Sequence, residues 1–109
     1  MNFSPGVLWT AAHHKIPVLL VVHNNRAYHA EVMILQRLTG ERGRDMSQTS
    51  IGTTIKDPNI NYAQMAKAYG MYSEGPIENP TDLAGAYQRA LSKVRAGEPA
   101  LIDVVSQPR

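Results

Sequence analysis

The 109-residue chain is long enough for one small domain with a modest hydrophobic core. Its net charge of +2, with acidic and basic residues interspersed, argues against a dedicated nucleic-acid binder, and the lack of cysteine excludes disulfides and thiolate metal sites. No apolar run approaches the roughly 20 residues that span a bilayer, and no secretory signal pattern begins the sequence. We therefore expect a cytoplasmic protein that binds neither nucleic acid nor membrane.

The first residues predict a helix followed by a strand. Ser4 suits the N-cap of that helix and Pro5 its first position. Pro17 prevents the helix from continuing and starts the strand. The aliphatic run from Val18 to Val22 is typical of a strand buried on both faces, as in a parallel sheet.

Two asparagines, Asn24 and Asn25, stand where this strand is predicted to end. Ligands of open α/β sheets bind beyond the carboxyl ends of the strands, so the pair is a candidate binding site. Asparagines are also common turn formers, and on these residues alone both interpretations remain open.

A second helix is predicted from Ala30 to Leu38, with a stop at Gly40. Its apolar stripe consists of Val32, Leu35 and Leu38. Residues 41–57 follow as a long segment with few large apolar side chains, and a loop of this length is uncommon inside a compact domain. We interpret 41–57 as a mobile lid, and the alternative is an ordinary surface loop.

The C-terminal half continues the alternation of helices and strands. Asn61 and Asn79 each begin a predicted helix, the second with Pro80 at its first position. A short strand is expected at residues 71–73, and the last strand runs from Ala100 to Val105. The order of elements predicts an α/β fold whose parallel sheet is flanked by helices.

Residues 8–30 read LWTAAHHKIPVLLVVHNNRAYHA. This stretch resembles the second half of the cofactor motif of thiamine-diphosphate-dependent enzymes, most nearly those of the benzoylformate decarboxylase and acetolactate synthase group. Their shared pattern is a helix ending in LWTAA, then IP, a hydrophobic strand and NN. The segments NYAQMAKAYG (61–70) and GEPALIDVV (97–105) also resemble the tail of that domain.

The resemblance implies that residues 1–109 are the C-terminal part of a thiamine-diphosphate-binding (PP-type) domain, incomplete at its N-terminus. In the family the motif opens with Gly-Asp-Gly, and its spacing would place that triplet upstream of Met1. The glutamate that contacts the aminopyrimidine ring belongs to another domain. We therefore expect a piece of a longer enzyme that is inactive alone, works with the remaining domains, and forms a homodimer or homotetramer.

The same resemblance implies thiamine diphosphate and Mg2+ as cofactors. Carried over residue by residue, it makes the Asn25 side chain and the Ala27 carbonyl the metal ligands and part of the cofactor site. Tyr28, His29 and Ala30 then lie beside the thiazolium ring, while Asn24 supports the turn.

The activity implied is decarboxylation of a 2-oxo acid, carboligation, or both, through a cofactor-bound carbanion. Glu31 stands where pyruvate-decarboxylase-type relatives carry a glutamate near the substrate, whereas benzoylformate decarboxylase and acetolactate synthase relatives carry apolar residues there. On the first likeness Glu31 is the candidate proton donor, ahead of His29. The alternative is an exposed glutamate in the first turn of a helix, stabilised by the helix dipole. At the level of the whole chain, the competing hypothesis is a stand-alone, non-catalytic α/β module for binding or subunit interaction.

Overall fold

The computed structural model describes residues 1–106, which form two compact units. The first, here called the sheet unit, comprises residues 1–24 and 61–106, and the second, the turn unit, comprises residues 25–60. The sheet unit contains α1 (Gly6–His13), β1 (Leu19–Asn24), α3 (Tyr62–Ala68), β2 (Tyr72–Ile77), α4 (Pro80–Arg95) and β3 (Ala100–Val105). The turn unit contains α2 (His29–Glu41) and a 3₁₀ helix (Met46–Ser50).

The three strands of the sheet unit form a parallel sheet in the order β1-β3-β2. Leu19 of β1 pairs with Ala100 of β3 at one end, and Asn24 pairs with Val105 at the other. On the opposite side of β3, Tyr72 of β2 also pairs with Ala100. The predicted α/β class with a parallel sheet is confirmed.

The central strand β3 is covered on both faces. Ala100 and Ile102 form a buried cluster with Ala86 and Ala90 of α4. The alternating residues point to the other face, where Asp103 accepts a hydrogen bond from the first residue of α3. Helices therefore flank the sheet on both sides, as predicted, and the predicted bounds of β3 are confirmed.

The prediction that β1 is buried on both faces is wrong. Within the described residues β1 lies at an edge of the sheet, and Val21 and His23 of one face are exposed. Its aliphatic composition is that of an interior strand, but burial depends on the layer packed over each face, which the composition of a strand does not specify.

The predicted caps of the two helices in the C-terminal half are confirmed. The Asn61 side chain accepts a hydrogen bond from the Gln64 N–H at 2.8 Å, at the start of α3. The Asn79 side chain accepts one from the Thr81 N–H at 3.1 Å, and Pro80 is the first residue of α4. The prediction for α1 is displaced by one residue, because Pro5 takes the N-cap position and makes no side-chain cap.

In the turn unit, the predicted second helix is present as α2, but its apolar stripe is not buried. No residue of α2 is buried, and Leu35 and Leu38 are 38% and 41% exposed. The helix also passes through Gly40 and ends at Glu41, because glycine weakens a helix without forbidding it.

The segment 41–57 contains regular structure, which the sequence analysis did not predict. Asp45 caps the 3₁₀ helix by accepting the Ser47 N–H at 2.9 Å, and Thr49 and Thr53 are buried. The mobility of this segment stays a prediction. Across residues 1–106, no helix has both the length and the apolar character needed to cross a membrane.

An ionic contact joins β2 to α4. The Glu74 carboxylate accepts hydrogen bonds from Arg89 Nε at 2.9 Å and Arg89 Nη2 at 2.6 Å, and a third from the Tyr72 hydroxyl at 2.5 Å. The hydrogen bond from Arg89 is the main cause that holds the pKa of Glu74 below its usual value. The bond to Glu74 raises the pKa of Tyr72, because losing the phenolic proton would break it.

The backbone of β2 passes very close to β3 at Gly75. Pairing of the two strands is interrupted there by an irregularity between Glu74 and Ile77. Gly75 has φ +129, and a Cβ atom at this position would meet the Asp103 carbonyl oxygen at 2.5 Å and the Asp103 Cβ at 2.8 Å. Glycine is required because any side chain would both clash and strain the backbone.

Replacing Gly75 by alanine is therefore expected to lower the free energy of unfolding by about 3 kcal/mol, combining overpacking with a strained φ. Gly6→Ala is the matched control, because a Cβ there meets nothing within 4 Å, and its effect should stay within about 0.5 kcal/mol. Urea unfolding of both variants measures the difference. Equal midpoints for the two variants would show that the close approach at Asp103 is not a constraint.

Candidate functional site

The residues that follow β1 form a tight turn at the start of the turn unit. The Asn25 Oδ1 accepts a hydrogen bond from the Ala27 N–H at 3.1 Å, so the side chain closes the turn across one residue. That residue, Arg26, has φ +56. A left-handed conformation costs a non-glycine residue roughly 1–2 kcal/mol, and such strain is concentrated at functional sites.

A bridge to the segment after the 3₁₀ helix orients Ala27. The Tyr28 N–H donates to the Thr53 carbonyl, and the Ile55 N–H donates to the Arg26 carbonyl, each at 2.7 Å. These bonds flank the antiparallel pair formed by Ala27 and Thr54. They use the neighbours of Ala27, so its own N–H and carbonyl point away from residues 53–55, to the side where Asn25 Oδ1 lies.

The turn thus places two oxygen atoms on one side of the backbone, the Asn25 Oδ1 and the Ala27 carbonyl oxygen. Both are hard, neutral donors of the kind that Mg2+ takes as ligands. The hydrogen bond from the Ala27 N–H occupies one lone pair of Oδ1 and leaves the second available. The chemistry of these two atoms fits a magnesium site.

Helix α2 begins directly after this turn. Tyr28 is its N-cap and makes no side-chain cap, while the Val32 N–H donates to the Tyr28 carbonyl at 3.1 Å. The first turn of an α-helix leaves N–H groups without partners inside the helix, and here these belong to residues 29–31. Such groups, together with the helix dipole, favour an anion such as a diphosphate.

The residues predicted for the site therefore lie together in one stretch of the turn unit. Asn25, Ala27, Tyr28 and His29 are partly buried, whereas Ala30 is exposed. Glu31, the predicted catalytic residue, is exposed in the first turn of α2. This is the environment expected for the alternative, a surface glutamate stabilised by the helix dipole. Its role as a proton donor stays a prediction.

Sequence analysis missed a polar network in the sheet unit. The Asn24 Nδ2 donates to Asp103 Oδ1 at 3.0 Å, and the Tyr62 N–H donates to Asp103 Oδ2, also at 3.0 Å. Asp103 is completely buried, and Asn24 is 7% exposed. The signal available in the sequence was a single charged residue within the apolar strand Ala100–Val105.

Residues 1–106 contain no group of three His, Cys, Asp or Glu side chains that could hold a metal ion. A cation at the Asn25 turn would thus rely on amide and carbonyl oxygens from this part of the chain. That donor set suits a metal whose charge is balanced by a bound anionic group, because these ligands bring no charge of their own.

The model of a protein family, the C-terminal TPP binding domain of thiamine pyrophosphate enzymes, matches residues 1–104. The parallel α/β sheet agrees with that domain. The chain belongs to this family. It is part of a thiamine-diphosphate-dependent enzyme, which agrees with the prediction of thiamine diphosphate from its sequence.

Proposed function

We propose that this chain supplies the Asn25–Ala27 part of a magnesium and diphosphate site in an enzyme of the benzoylformate decarboxylase and acetolactate synthase group. The enzyme, a lyase or transferase of the cytoplasm, acts on a 2-oxo acid by decarboxylation, carboligation or both. The observation that carries the proposal is the turn itself. In a chain of the thiamine pyrophosphate family, it presents two oxygen donors on one side, directly before the start of a helix.

Each residue of the turn has a distinct task in this proposal. The Asn25 amide oxygen and the Ala27 carbonyl hold Mg2+, and the N–H groups at the start of α2 receive the diphosphate. Tyr28, His29 and Ala30 would line the turn beside the thiazolium ring. Thiamine diphosphate, when bound, supplies the electron sink for the bond cleavage at the 2-oxo acid.

Magnesium takes six oxygen ligands, so the two from this chain leave four positions for diphosphate oxygens, water and other protein groups. We propose that the other protein ligand is the aspartate of the family's Gly-Asp-Gly triplet, which would lie upstream of Met1 in the same domain. Residues 1–109 alone would then bind the cofactor weakly and have no activity.

The first test is Asn25→Ala in the assembled enzyme. Alanine has no side-chain oxygen, so the affinity for Mg2+ in the presence of thiamine diphosphate should fall at least about 100-fold, and activity should fall with it. Asn25→Asp should be milder, because a hard oxygen remains although its charge opposes the diphosphate. Titration calorimetry measures both. Full magnesium-dependent cofactor binding by Asn25→Ala would show that Asn25 forms the turn but does not bind the metal.

The proposal assigns Glu31 the proton that is delivered to the reacting carbon after carbon dioxide leaves. Glu31→Gln keeps the size of the side chain and removes its acidic proton, so turnover should fall about 100-fold while cofactor affinity is unchanged. His29→Gln is the comparison, because His29 is the second candidate donor. Normal turnover of Glu31→Gln would show that Glu31 is only a surface residue of α2. If turnover falls in His29→Gln alone, His29 is the proton donor.

We further propose that the apolar side chains of α2 contact the remaining domains or another subunit, in a homodimer or homotetramer. Met33 and Ile34 are 59% and 58% exposed on this helix. Exposed apolar patches of this kind mark interaction surfaces.

The isolated chain should therefore self-associate, and Ile34→Gln should increase its monomer fraction in sedimentation velocity. Gln36→Lys, on the same helix, is the control. It replaces one exposed polar side chain by another, so it should not increase the monomer fraction as Ile34→Gln does. A monomer at all concentrations for the unmodified chain would contradict this assignment of the α2 surface.

A further inference from the structure

Asp103 is a charged residue in the middle of the central strand, and it is completely buried. Carboxylates are rarely buried in full unless donors meet their oxygens, since desolvation of the charge is costly. Here each oxygen has a donor from a different element. Asn24 Nδ2 of β1 meets Oδ1, and the Tyr62 N–H of α3 meets Oδ2, both at 3.0 Å.

The bond to Asp103 Oδ1 determines how the Asn24 amide is oriented. Asp103 Oδ1 accepts this hydrogen bond, so the amide of Asn24 turns its nitrogen toward Asp103 and its oxygen away. The backbone of the same residue is also held, because its carbonyl accepts the Ser106 N–H at 3.0 Å and it pairs with Val105 in the sheet. The end of β1 is fixed through both its side chain and its main chain.

Asp103 is itself held firmly in place. Its strand has neighbours on both sides, and the Gly75 backbone lies so close that a Cβ there would approach the Asp103 carbonyl oxygen to 2.5 Å. The backbone and Cβ of Asp103 therefore have little freedom to follow Asn24 if that residue moves.

We propose that Asp103 is a positioning residue for the cofactor-binding turn and that it acts through Asn24. One planar peptide bond joins Asn24 to Asn25, so a fixed Asn24 limits where the Asn25 backbone can begin. The inference rests on the proposed function, in which Asn25 is a magnesium ligand. It assigns separate tasks to the two asparagines: Asn24 is bound from within the sheet unit, and Asn25 is left to bind the metal.

The test is a double-mutant cycle between Asp103→Asn and Asn24→Ala in the assembled enzyme. Asp103→Asn is isosteric, but its amide nitrogen meets a donor at Asn24 unless the Asn24 amide turns over, and either outcome removes the hydrogen bond that orients Asn24. Each single variant should weaken Mg2+ binding about tenfold in the presence of thiamine diphosphate. The double variant should be no weaker than Asn24→Ala, because Asp103 acts through that residue.

Ser73→Ala is the matched control. Ser73 Oγ donates to the Ala63 carbonyl at 2.6 Å, a buried bond that also joins the sheet to α3 but does not involve Asn24. This variant should lower the melting temperature, as Asp103→Asn also should, without changing Mg2+ affinity. Equal Mg2+ affinities for Asp103→Asn, Ser73→Ala and the unmodified enzyme would show that Asp103 only stabilises the fold.

Asn25→Ala in the same titration distinguishes a failure of the proposed function from a failure of the role given to Asp103. If Asn25→Ala leaves Mg2+ binding unchanged, the proposed function is overturned. If Asn25→Ala weakens it and Asp103→Asn does not, only the role of Asp103 is overturned. Should Asp103→Asn not fold, Asn24→Ala against Ser73→Ala decides: weaker Mg2+ binding in Asn24→Ala supports the role, and equal binding overturns it.

Discussion

A carboxylate can be buried only if hydrogen-bond donors meet its oxygens, and Asp103 imposes this requirement on the centre of the sheet unit. The donors come from the end of β1 and the start of α3, which lie far apart in the sequence. The adjacent strand must also come close without a side chain, at Gly75. Contacts of Asp103 therefore connect β1, β2 and α3 to β3, whereas α4 packs on the opposite face through apolar side chains.

The turn after β1 is stabilised by hydrogen bonds of a different kind. Its side-chain and main-chain hydrogen bonds are local, between Asn25 and Ala27 and between residues 26–28 and 53–55. They hold a conformation that costs energy at Arg26, with φ +56. These bonds already hold the turn in shape, which reduces the entropy lost when a metal or diphosphate binds.

The features that sequence analysis predicted correctly are those encoded locally. The caps at Asn61 and Asn79 depend on a side chain and N–H groups two or three residues away, so the residue type and its position suffice. The bounds of β3 follow from an apolar run that is interrupted only by Asp103 and is followed by the polar Ser106. The family was evident because residues 8–30 carry a specific motif, and the match to residues 1–104 agrees with it.

What the sequence did not reveal depends on neighbours distant in the chain. The exposure of Val21 and of the α2 stripe depends on what packs over them, and periodicity marks an apolar face without naming its partner. Asp103 could be seen as an oddity within a strand, but the pairing with Asn24 spans 79 positions and requires the register of the sheet. The pairing of Ala27 with Thr54 could not be predicted for the same reason, since Thr54 lies in the segment that was interpreted as a lid.

That bridge has a thermodynamic consequence. Because Tyr28 and Arg26 are hydrogen-bonded to residues 53 and 55, the turn cannot keep its shape while this part of the chain opens. Local opening and ligand binding at the turn are then competing equilibria, and a ligand that requires the closed form must suppress opening in proportion to its affinity. Amide hydrogen exchange and proteolytic cleavage around residues 50–55 would accordingly report on occupancy of the turn, although no atom of that segment belongs to the site.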